Sequence, residues 1–202
     1  MINEGKWLEW MDEISASDFV VIDQFLDLTL LSEVQHFFQN ILDTNSLKKA
    51  AVGSLDKRVI FAEIRGDYTY WLDRDKDKQL DQFFLLTDDM IKVFNRYCFL
   101  SLSGSEFHLA KYPPGAFYKK HVDQFKNSNN RMISFILYLN EEWKQGDGGE
   151  LVIYRPDRDV TINPILNTAV LFKSEGVLHE VLPTNVHRKS LTGWLLYQSP
   201  II

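Results

Sequence analysis

The sequence predicts a mainly β protein with flanking helices, built on a double-stranded β-helix, or jelly-roll, core. Two observations carry this expectation. After residue 100 the chain breaks into short apolar runs separated by turn residues, about eight strand candidates in all, the number that a double-sheet jelly roll requires. Before residue 100, two longer segments carry apolar residues at helical spacing and suit the outside of a sheet. At 202 residues, with 45% apolar and 25% charged, the composition is that of a globular chain with one sizeable core.

In chain order, Met1 to Ser17, with Trp7, Trp10 and Met11, reads as a helix docked on the domain, and Phe19-Val20-Val21-Ile22 as a strand. Asp23 to Asp27 forms the turn into a helix, whose positions 30, 31, 34, 37, 38, 41 and 42 make one apolar face. That face is core and not a cofactor box. Leu80 to Leu100 repeats the pattern, with a break or new cap expected at Thr87-Asp88-Asp89. Between them, Arg65 to Lys78 is densely charged yet carries Tyr68, Tyr70 and Trp71, which suits a mobile lid with aromatic anchors. The strand candidates are Phe107 to Tyr112, Phe117 to Val122, Met132 to Leu139, Glu150 to Tyr154, Val160 to Ile162, Ala169 to Lys173, His179 to Leu182 and Ser190 to Gln198. Pro113-Pro114-Gly115, Asn127-Ser128-Asn129-Asn130, Gly146-Asp147-Gly148-Gly149 and Asn163-Pro164 punctuate them. The whole chain, 1 to 202, reads as one domain: helices over about 1 to 100 pack on a jelly-roll core over about 101 to 198.

The residues that carry chemistry lie in the second half. His121 and Asp123 are two apart, so on a strand they leave the same face roughly 7 Å apart at Cα, within reach of one ion. His179 comes from a separate apolar run, Val177 to Leu182, that suits a short buried strand. Two imidazoles and one carboxylate bind a divalent metal through three ligands and leave positions open for cosubstrate and oxygen, the arrangement of non-haem Fe(II) oxygenases. Arg188 adds a permanent forked cation that binds a carboxylate through two hydrogen bonds. A lone His-x-Asp is weak evidence. The combination with His179, Arg188 and the Gly148-Gly149 break is much stronger. His36 in a helix, His108 on a strand and His187 in a turn read as ordinary surface or core histidines.

Taken together, Tyr112-Pro113-Pro114-Gly115, His121-Val122-Asp123, Arg131, Tyr138-Leu139-Asn140, Trp143, Gly148-Gly149, His179-Glu180-Val181, Pro183, Arg188 and Trp194 resemble the 2-oxoglutarate and Fe(II)-dependent prolyl 4-hydroxylases. The similarity is greatest to the oxygen-sensing branch and its bacterial relatives, which carry a stretch like Arg65-Gly66-Asp67, Thr69 and Trp71 upstream of the metal motif. It spans roughly residues 18 to 198.

This resemblance implies that His121, Asp123 and His179 bind iron, that Arg188 and the Tyr138 hydroxyl hold the distal carboxylate of 2-oxoglutarate, and that Tyr112 is a further cosubstrate contact. Ile136, Leu151, Val181, Thr192 and Trp194 would wall that pocket, and Arg65, Asp67, Trp71, Tyr118 and Arg131 would lie near the substrate. The implied activity is hydroxylation of a prolyl residue in a protein, with O2 as second cosubstrate, succinate and CO2 as products, and ascorbate as an optional reductant. Two other readings stay open: the same chemistry on a small molecule or another side chain, and a non-catalytic metal-binding jelly-roll module.

Composition narrows the setting. A net charge of −6 argues against nucleic acid as a partner, since phosphate binding needs a concentrated basic surface. The single cysteine, Cys98, excludes an internal disulfide and a cysteine-rich zinc site. With no signal-like N-terminus and no apolar run long enough to span a bilayer, no membrane is expected and the cytoplasm is the default location.

Overall fold

A computed structural model describes residues 2–50, 64–124 and 130–197. Helix α1 (Glu4–Ser17) starts at Asn3, whose side chain accepts from the Gly5 amide, and buries Trp7, Met11 and Ile14. Strand β1 (Phe19–Ile22) follows. Helix α2 (Leu28–Asp43) is capped by Asp27, which accepts from the amides of Thr29 and Leu30. Strands β2 (Lys48–Lys49) and β3 (Tyr68–Trp71) and a 3-10 turn at Lys78–Leu80 lead into α3 (Asp81–Cys98). Eight strands come after: β4 (Leu102–Tyr112), β5 (Tyr118–His121), β6 (Arg131–Tyr138), β7 (Leu151–Tyr154), β8 (Val160–Ile162), β9 (Ala169–Lys173), β10 (Leu178–Val181) and β11 (Arg188–Tyr197).

These eight strands divide equally between two antiparallel sheets, the jelly roll that the sequence predicts. The larger sheet has the order β1-β9-β6-β11-β4-β3-β2, the smaller β5-β10-β7-β8. Period-two alternation sorts the larger sheet's side chains into two cores. Phe107, Leu109, Ile133, Phe135, Leu137, Leu191 and Leu195 face the helices. Ala110, Tyr112, Ile136, Tyr138, Val170 and Phe172 point the other way, towards Leu151, Ile153 and Val181 of the smaller sheet. Phe135 joins helices to sheet, its ring meeting Phe25, Phe83 and Phe107. The site residues occupy the second face, between the sheets.

Several expectations need correction. Helix α3 runs unbroken through Thr87-Asp88-Asp89, because the Thr87 hydroxyl donates back to the Phe84 carbonyl while Asp88 and Asp89 pair with Arg74 and Lys92. The Arg65 to Lys78 segment is not a lid throughout. Tyr68–Trp71 is a strand in register with β4, and Tyr70 packs on Phe37 and donates to Asp77. Its aromatic run has strand chemistry, masked by the surrounding charge. Thus residues before 101 add β1, β2 and β3 to the larger sheet as well as helices. The turn at 127–129 and the strand end at Gln198 lie outside the described residues. Among the described residues no helix is long and apolar enough to cross a membrane.

The central pair β4 and β11 is joined closely at Gly193, where an added Cβ would meet Phe107 Cδ1 at 2.2 Å and the Glu106 carbonyl at 2.3 Å. Gly193→Ala is expected to destabilise the fold by about 2 to 3 kcal/mol through overpacking. A thermal melt should then fall by roughly 5 to 10 °C; an unchanged midpoint would show that these strands can separate freely.

Candidate active site

His121 ends β5 and His179 lies on β10, and the ladder pairs them directly, so a register contact joins residues 58 positions apart. Asp123 stands just past the end of β5, on a bend and not on the strand itself. The three ligand atoms lie within 4.8 Å of one another. His121 Nε2 is 3.5 Å and His179 Nε2 3.8 Å from Asp123 Oδ1. Donors sharing one ion at about 2.1 Å are separated by roughly 3 to 3.6 Å, and the two histidine-to-carboxylate distances are already near that spacing.

Each ligand is aimed by a hydrogen bond on its other side. His121 Nδ1 donates to the Lys119 carbonyl at 2.7 Å and His179 Nδ1 to the Val177 carbonyl at 2.9 Å, which leaves both Nε2 lone pairs free. Ser134 donates to Asp123 Oδ2 at 2.6 Å and is itself held by Ser174 at 2.9 Å. Burial alone pushes the Asp123 carboxyl up, but His179, His121 and the Ser134 hydroxyl outweigh it and hold the group well below the usual carboxylate range. Burial lowers the His179 imidazole, with Asp123 opposing, so it stays in the neutral form that binds metal. Ser134 has a sequence signal, because it interrupts the apolar run of β6. Ser134→Ala is expected to weaken divalent-metal binding about tenfold, the scale of an outer-shell loss. Mn(II) titration checks this, and unaltered affinity would remove Ser134 from the site.

The other part of the site, also between the sheets, is built around Arg188, which is 1% exposed. Its Nε donates to the Gly149 carbonyl at 2.8 Å, and Nη1 lies 3.4 Å from Ser190 Oγ. Gly149 is required there twice over. Its φ is +78°, and a Cβ would stand 2.8 Å from Arg188 Cδ. The guanidinium carbon lies 4.9 Å from the Tyr112 ring and 5.1 Å from that of Tyr138. Burial pushes the Tyr138 hydroxyl up to about 12, against the pull of Arg188, so it remains a proton donor. Yet the Tyr138 hydroxyl and Arg188 Nη2 are buried without a hydrogen-bond partner among the described residues. Two unsatisfied donors, one of them cationic, fit a carboxylate. Ile136 and Thr192 lie opposite each other in the register, Leu151 pairs with Val181 on the facing sheet, and Trp194 is next to Ser134. The triad and these two buried donors therefore fit an iron ion with a carboxylate-bearing cosubstrate.

The residues expected near substrate form two groups. Arg65 binds Asp67 through two hydrogen bonds of 2.7 and 2.5 Å and lies over the Tyr118 ring, which stacks on His121 at 3.6 Å. Arg131 donates through Nε and Nη2 to Glu106 and through Nη1 to the Asp123 carbonyl, with its guanidinium 3.5 Å from the Trp194 ring. Trp71, 39% exposed, stacks against Trp194. Glu106 carries no sequence signal, because nothing local distinguishes it from any other strand carboxylate.

Fold and site together define a 2-oxoglutarate- and Fe(II)-dependent oxygenase, and the family model described as the 2OG-Fe(II) oxygenase superfamily matches residues 107–196. A Pseudomonas putida prolyl-4-hydroxylase structure superposes with a TM-score of 0.87 at 32% identity, covering 95% of this chain and 99% of the other. The chain belongs to this superfamily and, within it, to the prolyl 4-hydroxylase family. A prolyl hydroxylase from Trichoplax adhaerens, in complex with a hypoxia inducible factor oxygen degradation domain peptide fragment, has a TM-score of 0.86 at 25% identity, covering 96% and 90% of the two chains. The hypoxia-inducible factor prolyl hydroxylase of Caenorhabditis elegans is 35% identical over 149 residues, 68% of this chain. The matched region is 20% of the worm protein's length.

Proposed function

We propose that this chain is a 2-oxoglutarate- and Fe(II)-dependent dioxygenase that hydroxylates a prolyl residue of a protein substrate. The observation that carries the reading is the pairing of a His-Asp-His cluster with a buried, unsatisfied arginine and tyrosine on strands of the same two facing sheets. The reaction balances as substrate C–H, 2-oxoglutarate and O2 giving C–OH, succinate and CO2. When bound, the iron and the 2-oxo acid supply the oxygen activation and C–H oxidation.

The chain's own residues bind, aim and exclude. His121, Asp123 and His179 hold the ion, while Arg188 and Tyr138 grip the distal carboxylate with Tyr112 packed against the guanidinium. Ile136, Leu151, Val181, Thr192 and Trp194 wall the cosubstrate in and keep bulk water out. The exposed Trp71 and the Arg65, Tyr118 and Arg131 groups lie towards the substrate, with the buried Asp67 bracing Arg65 and Arg131 also steadying Asp123. A protein target is supported by the peptide bound to the Trichoplax relative and by the name of the worm relative. The whole chain is taken as a single domain, a reading supported by the helices packing on the outer face of the larger sheet. A cytoplasmic setting is part of the proposal, supported by a lone cysteine that needs no oxidising compartment.

Anaerobic titration of Fe(II)-loaded protein with 2-oxoglutarate tests the site. A weak visible charge-transfer band is expected on chelation of the 2-oxo acid. Its absence in folded, iron-loaded protein would favour a non-catalytic module. Succinate release stimulated by prolyl peptides, with ascorbate present, then tests the target. Turnover with no proline oxidation would point to a small molecule or another side chain.

A further inference from the structure

Tyr138 and Arg188 stand on two different strands, so whatever fixes the end of β6 against the start of β11 also fixes these two donors against each other. The ladder between the strands runs as far as Ser190, which it sets opposite Tyr138. Continued by two places, the same register would bring Asn140 opposite Arg188. Leu139 follows it for one step, its amide donating to the Lys189 carbonyl at 3.1 Å. At the next bond the backbone gives way to a side chain. The Lys189 amide donates to Asn140 Oδ1 at 2.6 Å, where a regular antiparallel pair would use the Leu139 carbonyl.

Asn140 is buried, and its Nδ2 donates to the Pro164 carbonyl at 2.8 Å. One planar amide thus serves a backbone donor and a backbone acceptor from two distant segments, which fixes its orientation. The turn that follows Pro164 reaches Tyr138 from the other edge of β6. The Tyr138 amide donates to the Thr168 carbonyl at 3.0 Å, and the Asn167 amide donates to the Tyr138 carbonyl at 2.9 Å. Asn140 therefore closes a circuit of contacts that passes from Tyr138 through residues 164–168 to Lys189, the neighbour of Arg188. The circuit uses neither the Tyr138 hydroxyl nor Arg188 Nη2, which stay unpaired among the described residues. Truncating Asn140 would leave the Lys189 N–H and the Pro164 carbonyl without these partners and would free the start of β11 from β6.

We propose that Asn140 is a positioning residue for cosubstrate binding, its amide locking the start of β11 to the end of β6 so that Arg188 and Tyr138 meet the distal carboxylate together. The inference rests on the 2-oxoglutarate reading above. It assigns Asn140 no contact with the ligand or the metal: the amide acts through Lys189 on Arg188, and through Pro164 and the turn beyond it on Tyr138.

The test compares 2-oxoglutarate with 2-oxopentanoate, which keeps the 2-oxo acid end but has a methyl in place of the distal carboxylate. Dissociation constants are measured by NMR on Mn(II)-loaded protein without oxygen, so that binding and not turnover is read. Asn140→Ala is expected to weaken 2-oxoglutarate about tenfold, the scale on which a small misplacement of gripping groups is felt, and to leave 2-oxopentanoate and Mn(II) binding unchanged. Asn140→Ser, whose hydroxyl can both accept and donate, should recover part of the loss, and it carries the same comparison if the alanine variant does not fold. Beside Arg188→Met, where no guanidinium remains to be positioned, Asn140→Ala should cost less than about twofold, because residues that act through one another are not additive. An equal loss for both ligands, or a full loss that persists beside Arg188→Met, would reduce Asn140 to a packing role and overturn the proposal. If the folded wild-type protein fails to bind 2-oxoglutarate at all, the cosubstrate reading itself falls. If the wild type binds and the folded Asn140 variants bind equally well, only the positioning role falls.

Discussion

His179→Ala is expected to abolish iron-dependent succinate formation and to weaken divalent-metal binding by more than the 10- to 100-fold typical of losing an outer-shell partner. His179 is the ligand that joins the two halves of the site. It arrives on β10, pairs in register with His121, and is held by the Val177 carbonyl with its Nε2 directed at Asp123. Without it, His121 and Asp123 face an ion as two ligands, and only His121 and the Ser134 hydroxyl still oppose the burial of the Asp123 carboxyl. The protein should still fold, since the imidazole lies in the cavity between the sheets and contributes little to the helix-facing core. Circular dichroism establishes that, and metal titration with a succinate assay gives the result. Near-normal metal affinity in folded protein would remove His179 from the iron site.

Arg188→Met is expected to raise the 2-oxoglutarate concentration for half-maximal activity about 100-fold, near 2.7 kcal/mol, as for loss of a charged hydrogen-bond pair in a buried site. Methionine fills much of the space but leaves the Gly149 carbonyl and Tyr138 facing a carboxylate without its countercharge. The maximal rate at saturation should change less, because the distal carboxylate is held equally before and during the chemical step. Arg188→Lys should not restore affinity. One ammonium cannot donate to Gly149, lie beside Ser190 and still present a forked pair to the ligand. An unaltered 2-oxoglutarate requirement in Arg188→Met would refute the assigned role.

Much of this site is legible in the amino-acid sequence. His121, Asp123 and His179 stand out because metal binding demands particular residue types, and Arg188 because a buried forked cation has few other uses. The strands after residue 100 show themselves as short apolar runs between turns, and Ala169–Lys173 and Val160–Ile162 fall where the sequence places them. Boundaries slip where local chemistry is ambiguous. Tyr68–Trp71 is hidden among charges, and Thr87 resembles a cap although its hydroxyl can also satisfy a helix from within. His108 reads as ordinary because a strand histidine carries no mark of its surroundings. Only the stacking of Trp71 and Trp194 around it shows that its Nδ1 is buried and unpaired.

The sequence by itself determined the fold class and singled out the His-Asp-His set and Arg188, because periodicity and residue type are local properties. The tertiary structure decided what those residues face: that Ser134 and Ser174 aim the carboxylate, that Gly149 admits Arg188, that Glu106 and the Asp123 carbonyl occupy Arg131, and that the rings of His108 and Trp194 stack with one buried, unpaired nitrogen each. Those relations arise from strand register and from the approach of two sheets. Register joins residues far apart in the chain, so no local window of sequence contains them.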